Sequence, residues 1–128
     1  MPFSNSPLIL ITDDDPHFRE TLSELFLPRG FKTLLASDGE EALDLVTSHD
    51  VHLLLLDNNM PRLTGLETLR RVKQINALLP CILLSARMDD VLREQAQQAQ
   101  AFSVLPKPVS RGDLTNAVDH ALRMAYGW

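Results

Sequence analysis

The stretch LLLLDNNMP, residues 53–61, decides the fold of this chain. Four consecutive leucines are typical of a strand in a parallel sheet, because helices cover such a strand on both faces. The run ends at Asp57, and a carboxylate at the end of a buried apolar strand is costly unless a charge or a hydrogen-bond donor compensates it. The stretch therefore predicts a central strand over residues 51–57, and it raises the question of which groups compensate Asp57.

Apolar runs and amphipathic segments alternate on both sides of this strand. The other strands are predicted over residues 8–12, 31–36, 80–85 and 102–105. Asp15 before Pro16 is typical of a helix start, and that helix is expected to end at the Pro-Arg-Gly of residues 28–30. The other helices are predicted over residues 37–48, 63–76, 88–100 and from Ser110 to about residue 125.

Two of these helices carry apolar stripes that matter below. The stripe of the helix over residues 88–100 is thin and consists of Val91, Leu92, Ala96 and Ala99. The last helix places five residues on one face: Leu114, Val118, Ala121, Leu122 and Ala125. Both stripes are expected to pack on the sheet.

The composition is that of one globular domain, with 128 residues of which 45% are hydrophobic. The net charge of −5 and the lack of a Lys/Arg stripe argue against a nucleic-acid surface. The single cysteine, Cys81, excludes a disulfide within the chain. Neither a signal peptide nor a membrane-spanning run is visible, so the cytoplasm is the expected compartment.

Residues 1–128 are expected to form a single domain. Its core is predicted over residues 8–125, and residues 1–7 are expected to be a loose lead-in. The closing residues, MAYGW, have no linker composition, which favours a stand-alone domain.

Five strands alternating with five helices predict an α/β fold with a doubly wound parallel sheet. Such sheets bind ligands outside the carboxyl ends of their strands. Polar residues are predicted at four of these ends: Asp13 and Asp14 after the first strand, Asp57 after the third, Ser85 after the fourth and Lys107 after the fifth. Each alone is an ordinary turn or surface residue, but their convergence on one edge predicts a functional site.

The chemistry of this set favours a magnesium ion and a phosphoryl group. Three carboxylates repel one another and fit a hard divalent cation, and Mg²⁺ typically takes one or two carboxylates with further oxygen ligands. The charges of Mg²⁺ and Lys107 balance those of Asp13, Asp14 and Asp57, so a phosphoryl group could enter. An aspartate carboxylate can act as the nucleophile toward phosphorus.

The chain resembles the receiver domain of two-component response regulators over about residues 8–125. The matching pieces are LILITDDDP, GFKTLLASDGEEALDLV, LLLLDNNMPRLTGLE, ILLSAR and LPKPV. The resemblance implies a flavodoxin-like sheet with strand order 2-1-3-4-5. It also implies phosphorylation with Mg²⁺ by a histidine kinase or a histidine phosphotransfer protein.

The resemblance implies a role for each site residue. Asp57 looks like the phosphoacceptor, and Asp13 and Asp14 look like the acidic pair that holds Mg²⁺. Asn59 looks like the residue that offers its backbone oxygen to the metal. Ser85 then looks like the switch hydroxyl. Lys107 looks like the partner of the phosphoryl oxygen, in a cis peptide bond with Pro108.

Two departures from the family concern the output of the signal. The family usually has an aromatic residue three positions before the lysine, where this chain has Val104, and Pro106 precedes Lys107 directly. A valine cannot sweep the volume of an aromatic ring. Output is therefore expected through the helix over residues 88–100, with a downstream protein binding the face that this helix shares with strand 5 and the last helix.

Other functions remain open at this point. The resemblance implies a protein that catalyses only its own phosphorylation and dephosphorylation, as a monomer or weak homodimer. A degenerate receiver could instead be a phosphorylation-independent adaptor. A haloacid-dehalogenase-type phosphatase has an aspartate where this chain has Asn59. A flavodoxin needs a hydroxyl- and glycine-rich loop after strand 1, where this chain has DDDP.

Overall fold

The computed structural model describes residues 6–128, and within them five strands alternate with five α-helices. The strands are β1 (Leu8–Thr12), β2 (Lys32–Ala36), β3 (Leu53–Asp57), β4 (Cys81–Ser85) and β5 (Ser103–Pro106). The helices are α1 (Pro16–Phe26), α2 (Gly39–Ser48), α3 (Gly65–Ile75), α4 (Asp90–Gln98) and α5 (Arg111–Tyr126). A 3₁₀ turn at Leu27–Arg29 follows α1. All predicted elements are present, and their ends differ from the predictions by a few residues.

The strands form one parallel sheet in the order β2-β1-β3-β4-β5. The predicted doubly wound fold and strand order are therefore confirmed. β3 is the central strand, paired with β1 and β4, and all five of its residues are buried. The carboxyl ends of β1, β3, β4 and β5 consequently meet at one edge of the sheet.

Successive leucines of β3 contribute to two separate apolar layers. Leu54 and Leu56 pack with residues of α2, α3 and α4, while Leu53 and Leu55 pack with residues of α1 and α5. The alternation follows from the two-residue period of a strand. Each fully buried leucine contributes about 1.5–3 kcal/mol of transfer free energy. The four-leucine run is thus the common centre of both layers.

Hydrogen bonds from side chains define where the helices begin. Asp15, Asp38, Asp89 and Ser110 each accept a backbone N–H of the first turn of α1, α2, α4 and α5. Thr64 and Glu67 form a reciprocal capping box at α3. These caps satisfy N–H groups that have no partner within the helix. The predicted starts at Asp15 and Ser110 are confirmed, whereas the predicted starts of α2, α3 and α4 each precede the observed capping residue by one position.

Two expectations about burial were wrong. Val91 is 64% exposed, because α4 turns Leu92 and Ala96 inward and Val91 lies about 100° around the helix from Leu92. Ala125 is also exposed, in the last turn of α5. Residues 1–5 of the expected loose lead-in lie outside the described residues, but Pro7 is buried and its carbonyl accepts the Lys32 N–H at 2.9 Å.

Among the described residues, no helix is both long and apolar enough to cross a membrane.

Candidate functional site

The three predicted acidic residues meet at the edge where β1 and β3 end. One oxygen from each of Asp13, Asp14 and Asp57 lies within 4.8 Å of the others. Asp13 and Asp57 are only 2% and 3% exposed, whereas Asp14 is exposed. The parallel pairing of β1 with β3 brings the two buried carboxylates together. The cluster therefore opens to solvent on the side of Asp14.

Lys107 supplies a positive charge to this cluster from the segment after β5. Its Nζ lies 2.7 Å from Asp13 Oδ2 and 3.2 Å from Asp57 Oδ1. The ammonium also lies 4.2 Å from the centre of the Phe18 ring, a favourable cation–π contact. The Lys107 backbone N–H donates to Ser85 O at 2.9 Å, and the predicted cis peptide bond with Pro108 is present. Asp57 is thus compensated in part by Lys107.

The groups around Asp57 only partly stabilise its negative charge. Burial raises the pKa of Asp57, and the charge of Asp13 raises it further, while Lys107 and the Asn59 N–H oppose the rise. Burial lowers the pKa of Lys107, but its hydrogen bond to Asp13 and the charges of Asp13 and Asp57 outweigh that effect and raise it. The charged form of Lys107 is therefore favoured, whereas the ionised form of Asp57 is disfavoured.

A hard cation fits this arrangement. Asp57 Oδ1 is buried and has no hydrogen-bond partner of good geometry among the described residues, although the Lys107 ammonium is close. A buried carboxylate oxygen without such a partner, beside two further carboxylates, is the donor set that Mg²⁺ prefers. The residues present therefore fit a divalent cation.

Ser85 ends β4 and is fully buried. Its hydroxyl donates to Arg87 O at 2.9 Å and accepts from the Arg87 N–H at 3.1 Å. Asn59 Oδ1 lies 3.3 Å from the same hydroxyl and accepts the Ala86 N–H at 3.0 Å. The predicted switch hydroxyl is thus bonded to its own loop and to the Asn59 side chain.

Sequence analysis missed three contacts of the site. The Phe18 ring contacts the Lys107 ammonium. Arg19 Nη1 donates to the Asp13 carbonyl at 2.6 Å, and Asp13 Oδ1 accepts the Asp15 N–H at 2.9 Å. No spacing rule reveals the contacts of Phe18 and Arg19, because they depend on how α1 leaves the end of β1, whereas the contact between Asp13 and Asp15 is a local Asx-turn.

Gly65 explains why the motif that follows Asp57 needs a glycine. Its N–H donates to Asn58 O at 3.2 Å, which brings the start of α3 against the end of β3. A Cβ at Gly65 would overlap the Asp57 carbonyl oxygen and lie 2.7 Å from Asn58 Cα. Asn58 Oδ1 accepts the Leu66 N–H at 2.9 Å and fixes the same junction.

Residues 9–119 match the family model described as the response regulator receiver domain. This chain belongs to the response regulator receiver family. The resemblance expected from the sequence is thereby confirmed. The acidic cluster around Asp57 fits the phosphoacceptor pocket of a receiver.

Named relatives agree with this assignment. The receiver is 36% identical over 118 residues to the transcriptional regulatory protein CpxR of Escherichia coli K12, covering 92% of this chain and 50% of CpxR. The chain thus spans about half the length of the curated relatives it matches.

Solved structures of receivers have the same fold. A CheY-like receiver domain from Methanospirillum hungatei superposes with a TM-score of 0.93 at 21% identity, over 96% of this chain and 98% of that one. The CheX–CheY–BeF₃–Mg²⁺ complex from Borrelia burgdorferi contains a chain with a TM-score of 0.86 at 25% identity, covering 91% and 89%.

Proposed function

We propose that this receiver accepts a phosphoryl group on Asp57 from a histidine kinase or a histidine phosphotransfer protein. One observation supports this most directly: the buried Asp57 carboxylate lies at the open edge of a receiver sheet, between two further carboxylates and the Lys107 ammonium. An adaptor that never binds a phosphoryl group has no need of this costly arrangement.

In the proposed reaction, Asp57 is the nucleophile. A carboxylate oxygen forms a bond to phosphorus while the phosphorus–nitrogen bond of the donor phosphohistidine breaks, and the imidazole nitrogen keeps the electron pair. Hydrolysis later breaks the bond between Asp57 and phosphorus as water attacks, and inorganic phosphate leaves with the proton. The protein thus catalyses only its own phosphorylation and dephosphorylation and has no separate substrate.

Mg²⁺ is the proposed cofactor, held by Asp14, Asp57 and the backbone oxygen of Asn59 and supported by Asp13. When bound, it neutralises charge that develops on the phosphoryl oxygens. Lys107 adds a second positive charge to these oxygens, since its Nζ already lies beside Asp57 Oδ1. Ser85 is the proposed switch hydroxyl, which must leave its loop partners to reach a phosphoryl oxygen.

The proposal also covers the domain organisation, the compartment and the partners of the protein. Residues 1–128 are one receiver domain that works in the cytoplasm, where ATP-derived phosphoryl groups are available. A downstream protein binds the face formed by α4, β5 and α5, and the receiver is a monomer or weak homodimer. With a net charge of −5, the receiver itself is not expected to contact nucleic acid.

Acetyl phosphate with Mg²⁺ tests the proposal. Intact-protein mass spectrometry should detect one added phosphoryl group, and Asp57→Asn should remove it. Asp44→Asn is a matched control, since Asp44 is an exposed aspartate of α2. Undiminished labelling of Asp57→Asn would show that another residue is the acceptor, and no labelling of the unaltered protein would favour the adaptor function.

A further inference from the structure

The side chain of Asn59 joins the loop after β3 to the loop after β4. Its Oδ1 accepts the Ala86 N–H at 3.0 Å and lies 3.3 Å from the Ser85 hydroxyl. The residue itself is exposed, so apolar packing does not determine the position of this side chain. Its two polar contacts on the β4 side are instead the interactions that place it.

The Ser85 hydroxyl has a single proton to donate. Its shorter contact is to Arg87 O, at 2.9 Å, and the longer one is to Asn59 Oδ1. A phosphoryl oxygen on Asp57 can accept this proton only after the hydroxyl leaves both Arg87 O and Asn59 Oδ1. The same competition applies to the Ala86 N–H, which donates to Asn59 in the present arrangement.

We propose that Asn59 is a positioning residue whose carboxamide oxygen keeps the loop after β4 in its unphosphorylated arrangement, chiefly by accepting the Ala86 N–H and also by its longer contact with the Ser85 hydroxyl. The inference rests on the proposed function, because it requires a phosphoryl group on Asp57. An ionised phosphoryl oxygen accepts hydrogen bonds more strongly than a neutral amide, so it takes the Ala86 N–H from Asn59 and the Ser85 hydroxyl from Arg87 O and Asn59. Asn59 thereby biases the equilibrium between the two loop arrangements.

The experiment is a titration of ¹⁵N-labelled protein with beryllofluoride, a phosphoryl mimic, at saturating Mg²⁺. Asn59→Ala and the near-isosteric Asn59→Leu both remove the acceptor. Each should bind beryllofluoride about threefold to tenfold more tightly than the unaltered protein, the range expected for one net hydrogen bond. Without the mimic, amide exchange should become faster at Ala86 in both variants.

Two comparisons separate this role from general loosening of the site. Asn58→Ala removes a neighbouring carboxamide that caps α3 through the Leu66 N–H. Its beryllofluoride affinity should stay within about twofold of the unaltered protein, well below the effect of one hydrogen bond. Affinity for Mg²⁺ alone should likewise be retained in Asn59→Ala, because the backbone oxygen remains.

Unchanged beryllofluoride affinity in both Asn59 variants, with normal binding by the unaltered protein, would overturn the inference while leaving the proposed function intact. An equal gain in Asn58→Ala, or an equal change in Mg²⁺ affinity, would also overturn it. Failure of the unaltered protein to bind beryllofluoride would overturn the proposed function together with the inference.

Discussion

At the scale of the residue, the fold places one carboxylate at a free-energy cost that its neighbours only partly offset. Asp57 is buried beside Asp13, and the ammonium of Lys107 is shared between the two. In the absence of a cation, this cost lowers the stability of the folded state. The stability of the protein should therefore report directly on the charge of Asp57.

Asp57→Asn should increase the free energy of unfolding at pH 7 without Mg²⁺, by on the order of 1 kcal/mol, because it removes a buried charge and its repulsion by Asp13. The pKa of Asp57 is raised in the folded state, so the stability that its protonation provides is complete below the unfolded value of 3.8 and is lost as pH rises through the folded pKa. The advantage of the variant should shrink as pH falls towards 3.8. Urea unfolding across this range measures it, and a gain that does not change with pH would contradict the explanation.

Gly65 is a second position where a single residue decides the geometry of the site. Gly65→Ala places a methyl group against the Asp57 carbonyl and should destabilise the fold by about 1–3 kcal/mol through overpacking. Gly112→Ala is the matched control, because a Cβ there meets no atom within 4 Å. That control should be neutral or stabilising by about 0.5–1 kcal/mol. Urea unfolding of both variants gives the comparison, and equal effects would exclude the steric cause.

At the scale of the element, α4 is a helix with little packing to lose. Of its nine residues only Leu92 and Ala96 are buried, and its exposed residues are polar except for Val91. Val104 of β5 is half-buried beside it, and a cleft of about 300 Å³ lies between Arg93 and Gln97 of α4 and residues 101–104. An element with few buried contacts opens at low free-energy cost.

Beryllofluoride with Mg²⁺ should therefore change amide hydrogen exchange mainly over residues 86–105, which include α4 and most of β5. The physical reason is that the loop after Ser85, the last residue of β4, leads directly into α4, whereas Val104 cannot relay the signal as an aromatic ring does. Asp57→Asn should show no such change and serves as the control. Protection changes confined to the neighbourhood of Asp57 would rule out this route of output.

At the scale of the whole molecule, cation binding is coupled to folding. A cation that binds only the folded state stabilises it by about 2.7 kcal/mol at 100 times its Kd. Asp13 and Asp14 follow β1 and Asp57 ends β3, so the site exists only when these two strands are paired in the sheet. The thermal stability of the domain should consequently rise with Mg²⁺.

Asp14→Ala should lose most of this Mg²⁺-dependent rise in Tm. Without Mg²⁺ the variant should be at least as stable as the unaltered protein, because one repelling carboxylate is gone and Asp14 is exposed. Differential scanning calorimetry with and without Mg²⁺ measures both effects, and Asp44→Ala is the control that should respond normally. A full Mg²⁺ response in Asp14→Ala would exclude Asp14 as a ligand.

The sequence by itself determined the order and type of the elements, because apolar periodicity and capping residues act over a few neighbouring positions. It also determined which residues end the strands, and hence that Asp13, Asp57, Ser85 and Lys107 share one edge. Membership in the receiver family followed from the same short motifs.

Only the tertiary structure decided which contacts these side chains make. The sharing of Lys107 between two carboxylates, its contact with Phe18, and the bonds of Asn59 to the loop after β4 all join residues distant in sequence. The exposure of Val91 was likewise decided by tertiary packing, because the way α4 packs on the sheet determines which of its apolar residues are buried. Such contacts depend on how separate elements are placed relative to one another, and no local pattern encodes that placement.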